Sequence, residues 1–98
     1  MAYFWQEEQA DGTTKLGLTP EAQEELGQIK FVDLPDIGDQ VSVDEPLFAV
    51  EAEKAVLDLD SPITGQVIQV HAALADQPEL LNDMNQKQNW VVTVKQTK

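Results

Sequence analysis

The residue whose setting invites chemistry is Lys54, in the segment Glu51-Ala52-Glu53-Lys54-Ala55. Apolar and alternating residues flank it: Leu47-Phe48-Ala49-Val50 before, Val56-Leu57-Asp58-Leu59-Asp60 after. Val56, Asp58 and Asp60 share one parity and Leu57 and Leu59 the other, the alternation of a strand with one wet face. Leu47 to Ser61 therefore reads as a hairpin with Glu53-Lys54 at or beside its turn. A turn projects side chains into solvent, and lysine adds four methylenes of reach. A mobile tip on a stiff mount is what a covalently attached cofactor requires of its carrier. A lysine in water is almost wholly protonated at neutral pH, and Glu51 and Glu53 favour that charged form. Self-activation needs a dry pocket or a neighbouring cation, so Lys54 is read as accepting chemistry done by another enzyme. The same residues, stripped of context, fit an ordinary solvated turn lysine.

Other chemistry is thinly represented. Ser42 and Ser61 are the serines and His71 is the one histidine, and no spacing among them offers a nucleophile, base and orienter. His71 follows Val67, Ile68 and Val70 and reads as a structural strand end. A lone histidine among dispersed acids does not make a metal site. With no Cys there is no disulfide, thiol nucleophile or thiolate ligand, which fits a reducing compartment. No catalytic residue and no metal ligand is assigned.

Composition narrows the partners. The formal net charge is −12, with six Lys and no Arg. Phosphate neutralisation needs clustered cations, which argues against nucleic acid and against a membrane surface. Acidity favours docking on enzymes with basic entrances. The first residues carry neither a basic start nor a long apolar stretch, so no signal peptide is read, and the apolar runs are far shorter than a membrane span. The expectation is a soluble, cytoplasmic, monomeric protein, with residues 1–98 forming a single domain.

The elements that must position Lys54 follow from turn and cap residues. Tyr3 to Gln6 and Lys15 to Leu18 read as strands around an Asp11-Gly12 turn. Thr19-Pro20-Glu21 reads as a helix start and Gly27 as its stop, with Ala22 and Leu26 facing inward. Ile29 to Leu34, Gln66 to Val70 and Asn89 to Val94 read as strands. Ala72 to Asn82 reads as a helical or irregular excursion broken at Pro78. Trp5 and Trp90 read as core or edge packing. Gly38-Asp39-Gln40-Val41 and Gly65-Gln66-Val67 echo each other on either side of Lys54. Short strands with one small helix predict a mainly β flattened barrel or sandwich.

A family resemblance sharpens this. Gly17-Leu18-Thr19-Pro20-Glu21-Ala22-Gln23-Glu24-Glu25-Leu26-Gly27 resembles the stretch G-I-T-x-x-A-Q-x-x-L-G of the glycine cleavage system H protein family. Ile29 through Gly38 resembles its I-x-F-V-x-L-P-x-x-G, Glu51 to Ala55 stands at its E-S-V-K-A, and Ser61-Pro62-Ile63-Thr64-Gly65 matches S-P-x-x-G. Pro78 to Asn82 and Trp90 follow at family-like distances. The resemblance implies the lipoyl/biotinyl-carrier fold (barrel-sandwich hybrid) with one or two short helices, and lipoate joined to Lys54 by an amide. It implies a lipoate ligase or lipoyl transferase, with Gly38 and Glu51 at the family's recognition positions; Glu53 and Ala55, beside the lysine, are read as further residues for recognition by the ligase or a partner. It further implies a pyridoxal-phosphate glycine decarboxylase, a folate-dependent aminomethyltransferase and a flavin dihydrolipoyl dehydrogenase as partners of the arm.

The likeness has its departures. Asn85-Gln86-Lys87-Gln88-Asn89 replaces a glycine-containing segment, and the ends are shorter than the family's, as in short stand-alone H-like proteins. Glu53, where many members have Val, is similar to the acidic tip of lipoyl domains in 2-oxoacid dehydrogenases. Some short H-like carriers are linked with lipoylation-dependent ADP-ribosylation. By that likeness Glu24 and Glu25 are candidate acceptors, with an ADP-ribosyltransferase and a macrodomain hydrolase as partners in a regulatory or oxidative-stress role. A biotinyl carrier shares the fold type but usually has Met on both sides of the modified lysine, which Glu53 and Ala55 do not provide.

Overall fold

In the computed structural model, residues 3–96 are described. The strands are β1 (Phe4–Glu8), β2 (Thr13–Leu18), β3 (Ile29–Asp33), β4 (Gln40–Val41), β5 (Pro46–Ala52), β6 (Val56–Asp60), β7 (Gly65–Val70) and β8 (Trp90–Gln96). They form a five-stranded sheet, ordered β1-β2-β8-β7-β4, and a three-stranded sheet, ordered β3-β5-β6. Every paired neighbour is antiparallel. The sheets close on one apolar core that includes Leu16, Leu18, Val50, Leu59, Val67 and Val92. The expected mainly β sandwich-like architecture is the one observed. Among the described residues no helix is long and apolar enough to cross a membrane.

The helix α1 (Pro20–Leu26) forms where its caps place it. Thr19 Oγ1 accepts from the Ala22 amide at 3.2 Å, Pro20 occupies the first turn, and Ala22 and Leu26 are buried. Because the N-cap oxygen satisfies an amide that has no helical partner, the start is fixed locally. The echoed segments also have a structural meaning. Gln40 pairs with Gln66 and Val41 with Gly65, so the two segments are partners of each other.

Some boundaries differ from the sequence reading. Strand β1 runs on to Glu8 and β2 begins at Thr13, because the turn between them is tied by Asp11. Its carboxylate accepts from Thr13 Oγ1 at 2.6 Å and from the Thr13 amide at 3.1 Å. The Thr13 hydroxyl bond foremost, and then the amide bond, hold the Asp11 carboxyl below its ordinary pKa. A carboxyl whose pKa is depressed by folding stabilises above its unfolded value of about 3.9 and loses that contribution as pH falls through the folded value. The melting temperature of Asp11→Asn is therefore expected to lie below that of the parent at neutral pH. A melting series in acid should show the gap closing as pH falls below the unfolded value and through the lower folded one.

The excursion between β7 and β8 is two 3₁₀ turns, Ala72–Ala75 and Pro78–Asn82, with Pro78 opening the second. Leu74 and Leu81 anchor them in the core. Gln23 of α1 donates through Nε2 to the carbonyls of Leu81 and Asp83, both at 2.7 Å. Trp5 and Trp90 are half-buried, Trp5 on the edge strand β1 and Trp90 at the start of the central strand β8. Trp5 lies across Gly17, where a β-carbon would meet its indole, and its Nε1 donates to Asn89 Oδ1 at 2.8 Å. Trp90 stacks on His71 with ring centroids 4.4 Å apart. Since a carbonyl only accepts, His71 Nδ1 carries the proton it gives to the Trp90 carbonyl at 2.7 Å. This is the structural role read for His71 from sequence.

Candidate functional site

Lys54 stands in the turn joining β5 to β6, and both it and Glu53 are exposed. The Ala52 amide donates to the Ala55 carbonyl at 2.8 Å, closing the turn on the half-buried Ala55. Tight hairpins usually rely on residues with positive φ to match strand twist. Neither Glu53 nor Lys54 has one, so the turn is held by something other than local preference.

That support is the end of α1 and the residue just past its cap. The Lys54 amide donates to the Leu26 carbonyl and the Glu53 amide to the Gln28 carbonyl, each at 2.9 Å. Lys54 Nζ donates to the Glu24 carbonyl at 3.0 Å. The last turn of α1 holds no basic residue of its own, so Lys54 supplies the cation that favours the negative end of a helix. The amine is thus surface-held, resting on a backbone carbonyl and not on a carboxylate. The sequence reading of an amine on a stiff turn survives, with the difference that the turn is braced by a second element.

Gly27 makes the close approach possible. Its φ of 77° and ψ of −157° fall in a region that is essentially glycine-only. A β-carbon there would come within 2.9 Å of Glu53 Oε1 and 3.1 Å of Glu53 Cβ. Gly27→Ala is expected to cost about 1–3 kcal/mol from backbone strain, and to push the Glu53-Lys54 turn off the helix. Melting temperature should fall, and the rate at which an attaching enzyme modifies the chain should fall with it.

The other sequence candidates are distributed unevenly. Glu24 and Glu25 are exposed on α1 and, with Glu21, line the same hollow of about 430 Å³ as Lys54. Burial first, and then the charge and hydrogen bond of Glu25, push the Tyr3 phenol up. Glu51 is exposed on β5, next to the turn. Gly38 is not joined to this group. It sits at φ 99° in the turn before β4, its amide donating to the Val67 carbonyl at 2.7 Å and its carbonyl receiving Gln66 Nε2. Its backbone conformation accounts for the glycine there.

Sequence reasoning missed the residues that brace the turn. Asn82 Oδ1 accepts from the Ile29 amide at 2.8 Å and Asn82 Nδ2 donates to Gln28 Oε1 at 3.1 Å. That fixes the Gln28 segment on which Glu53 rests. No local signal marks such a bond, whose partners are over fifty positions apart.

The arrangement is that of a rigidly mounted, accessible primary amine with open space beside it. The sequence model of the family described as Glycine cleavage H-protein matches residues 1–98. The chain belongs to the glycine cleavage H-protein family. Members of this family are non-catalytic carriers that hold lipoate covalently on a lysine. A Glycine cleavage system H protein of Vibrio campbellii is 44% identical over 94 residues, covering 96% of this chain and 75% of that one. One from Saccharophagus degradans is 43% identical over 94 residues, covering 96% and 72% respectively. The crystal structure of a glycine cleavage system H protein from Mycobacterium marinum superposes with a TM-score of 0.86 at 33% identity. It covers 97% of this chain and 79% of the neighbour. The family's fold and this chain's two-sheet fold are therefore the same.

Proposed function

We propose that Lys54 carries the lipoyl group and that the chain serves glycine cleavage as the carrier of the aminomethyl intermediate. The single observation behind this is the braced turn: an exposed lysine whose own amide is tied to Leu26 of α1, whose neighbour Glu53 is tied through its amide to Gln28 just beyond that helix, and whose Nζ donates to the Glu24 carbonyl. The residues fit the group. Lys54 is exposed and the hollow beside it has room for the start of an arm. Lipoate, when bound, supplies a dithiolane that can be reduced and can hold the aminomethyl group through sulfur. The chain's own part is to hold the base of the arm still, so that the reach of the tether is not spent on motion of its mount. Glu51, Glu53 and Ala55 flank Lys54 along the chain and are the residues an attaching enzyme meets at the turn; Gly38 keeps its role in recognition only through the shape of its turn.

The test is reconstitution. The chain lipoylated by lipoate ligase, mixed with glycine decarboxylase, aminomethyltransferase, tetrahydrofolate and dihydrolipoyl dehydrogenase, is expected to give glycine-dependent reduction of NAD⁺. The unlipoylated chain is expected to give none. Absence of reduction with a fully lipoylated chain would move the carrier to another lipoate-dependent pathway.

A second reading is favoured by the shared hollow of Glu24, Glu25 and Lys54. A transferase seated there could sense the arm and ADP-ribosylate the helix, which would give the carrier a regulated state reversed by a macrodomain hydrolase. Mass spectrometry of the lipoylated chain after incubation with such a transferase is expected to place the adduct on Glu24 or Glu25, and an adduct elsewhere ends this reading.

A further inference from the structure

The outer face of the three-stranded sheet changes character along its length. In the outward-facing row nearest the Lys54 turn, Phe31 of β3 stands opposite Glu51 of β5, which stands opposite Val56 of β6. Phe31 is 59% exposed and Val56 76% exposed. The next outward row is Asp33, Ala49 and Asp58, with both aspartates exposed. Apolar side chains thus occupy the end of the face beside Lys54, and acids occupy the other. With neighbouring strands about 4.8 Å apart, Phe31 and Val56 stand roughly 10 Å apart across the Glu51 carboxylate. Single exposed hydrophobes are ordinary on a protein surface. Two of them in register about one carboxylate, in the row next to the Lys54 turn, are less ordinary.

We propose that Phe31 and Val56, on either side of the Glu51 that the family resemblance already assigns to recognition, form an apolar grip for the enzyme that attaches lipoate, the two side chains entering depressions of that enzyme. This rests on Lys54 being the attachment residue. Reach selects the occupant. The attaching enzyme must bring an activated lipoyl carbonyl to Lys54 Nζ itself, only one side chain from the turn, so its surface must close on the residues beside the turn. The deprotonated amine attacks the carbonyl of a lipoyl acyl-phosphate anhydride. The C–N bond forms, the C–O bond to phosphate breaks, the nucleotide monophosphate leaves with that electron pair, and the amine's proton passes to a base of the enzyme. Enzymes that act on the finished arm meet its far end, beyond the whole acyl chain, and are released from that constraint. Charge agrees: a chain of formal net charge −12 with acids at the rim of this face fits a partner whose apolar depressions are rimmed by cations.

The experiment measures initial rates of lipoylation by purified lipoate ligase, with ATP and free lipoate, against the concentration of the full chain. Threonine suits exposed strand positions, so the test variant is Phe31→Thr combined with Val56→Thr. Its KM for the carrier is expected to rise about tenfold or more with kcat retained, because the lost contacts bind the chain without touching the reacting amine. The pair Phe31→Tyr with Val56→Ile, which keeps the apolar surface, should retain the parent KM. So should Val43→Thr, another exposed hydrophobe (50%), in the turn after β4. An unchanged KM in the double threonine variant overturns the proposal, as does an equal rise in Val43→Thr. Normal lipoylation with loss only at the glycine decarboxylase step also overturns it, by assigning the row to a different enzyme. Failure of the underlying reading looks different: Lys54→Arg would still gain the adduct.

Discussion

Lys54→Arg is expected to abolish lipoylation completely while leaving the fold unchanged. Arginine keeps the positive charge and a donor for the Glu24 carbonyl, so the cation at the end of α1 is preserved. The side chain is exposed and contributes no core packing, and exposed substitutions of this kind usually shift stability by about 0.5 kcal/mol or less. What disappears is the nucleophile, since a guanidinium stays protonated in proteins and offers no amine to acylate. Co-expression with a lipoate ligase, followed by intact mass measurement, should give the lipoyl adduct on the parent chain and the bare mass for the variant. An adduct on the variant would place the attachment on one of the other lysines and undo the site assignment.

Gly65→Ala is expected to be the most destabilising conservative change in the protein. Gly65 pairs Val41 on one side and Gln96 on the other, so it lies inside the five-stranded sheet. A β-carbon there would collide with the Lys95 carbonyl oxygen and come within 2.7 Å of Val94 Cγ1 and 2.9 Å of the Lys95 carbonyl carbon. Backbone cannot swing aside as a long side chain can, so the ladder between β7 and β8 must shift. Overpacking of this kind costs about 1–3 kcal/mol and at times more; at the upper end this lowers the melting temperature by roughly 10–20 °C in a domain of this size. A thermal melt monitored by circular dichroism checks it, and a change under a few degrees would show that the sheet yields more readily than its contacts imply.

What could be read from sequence was what neighbouring residues encode. Thr19, Pro20 and Gly27 marked α1 because capping chemistry is local. The parity of Val56 to Asp60 gave the right faces, with Leu59 buried and Val56 and Asp58 exposed, because strand alternation is local too. The Glu53-Lys54 turn was legible for the same reason. Its brace was not. The Lys54 Nζ bond to Glu24 spans 30 positions, the Gln23 bond to Leu81 spans 58 and the Trp5 bond to Asn89 spans 84. Amides of Gln and Asn serve equally well on a wet surface, so their type alone announces none of these ties. Residues 72 to 89 were hard to read for a further reason: 3₁₀ turns have no long period, and here only Leu74 and Leu81 of the two turns are fully buried. Gly38 was grouped with the lysine by family likeness, whereas its bonds run to Val67 and Gln66 in the other sheet.

The bond from Lys54 Nζ to the Glu24 carbonyl has a consequence for how the empty and loaded carriers differ. Acylation converts an ammonium into a neutral amide, which removes the only cation described at the final turn of α1 and makes the chain one unit more negative than its formal −12. Loaded molecules should therefore elute later from an anion exchanger than empty ones. The C-terminal carbonyls of that helix, freed from a charged donor, should exchange their hydrogen-bond partners faster, so that loading is registered in the joint from which the tether springs.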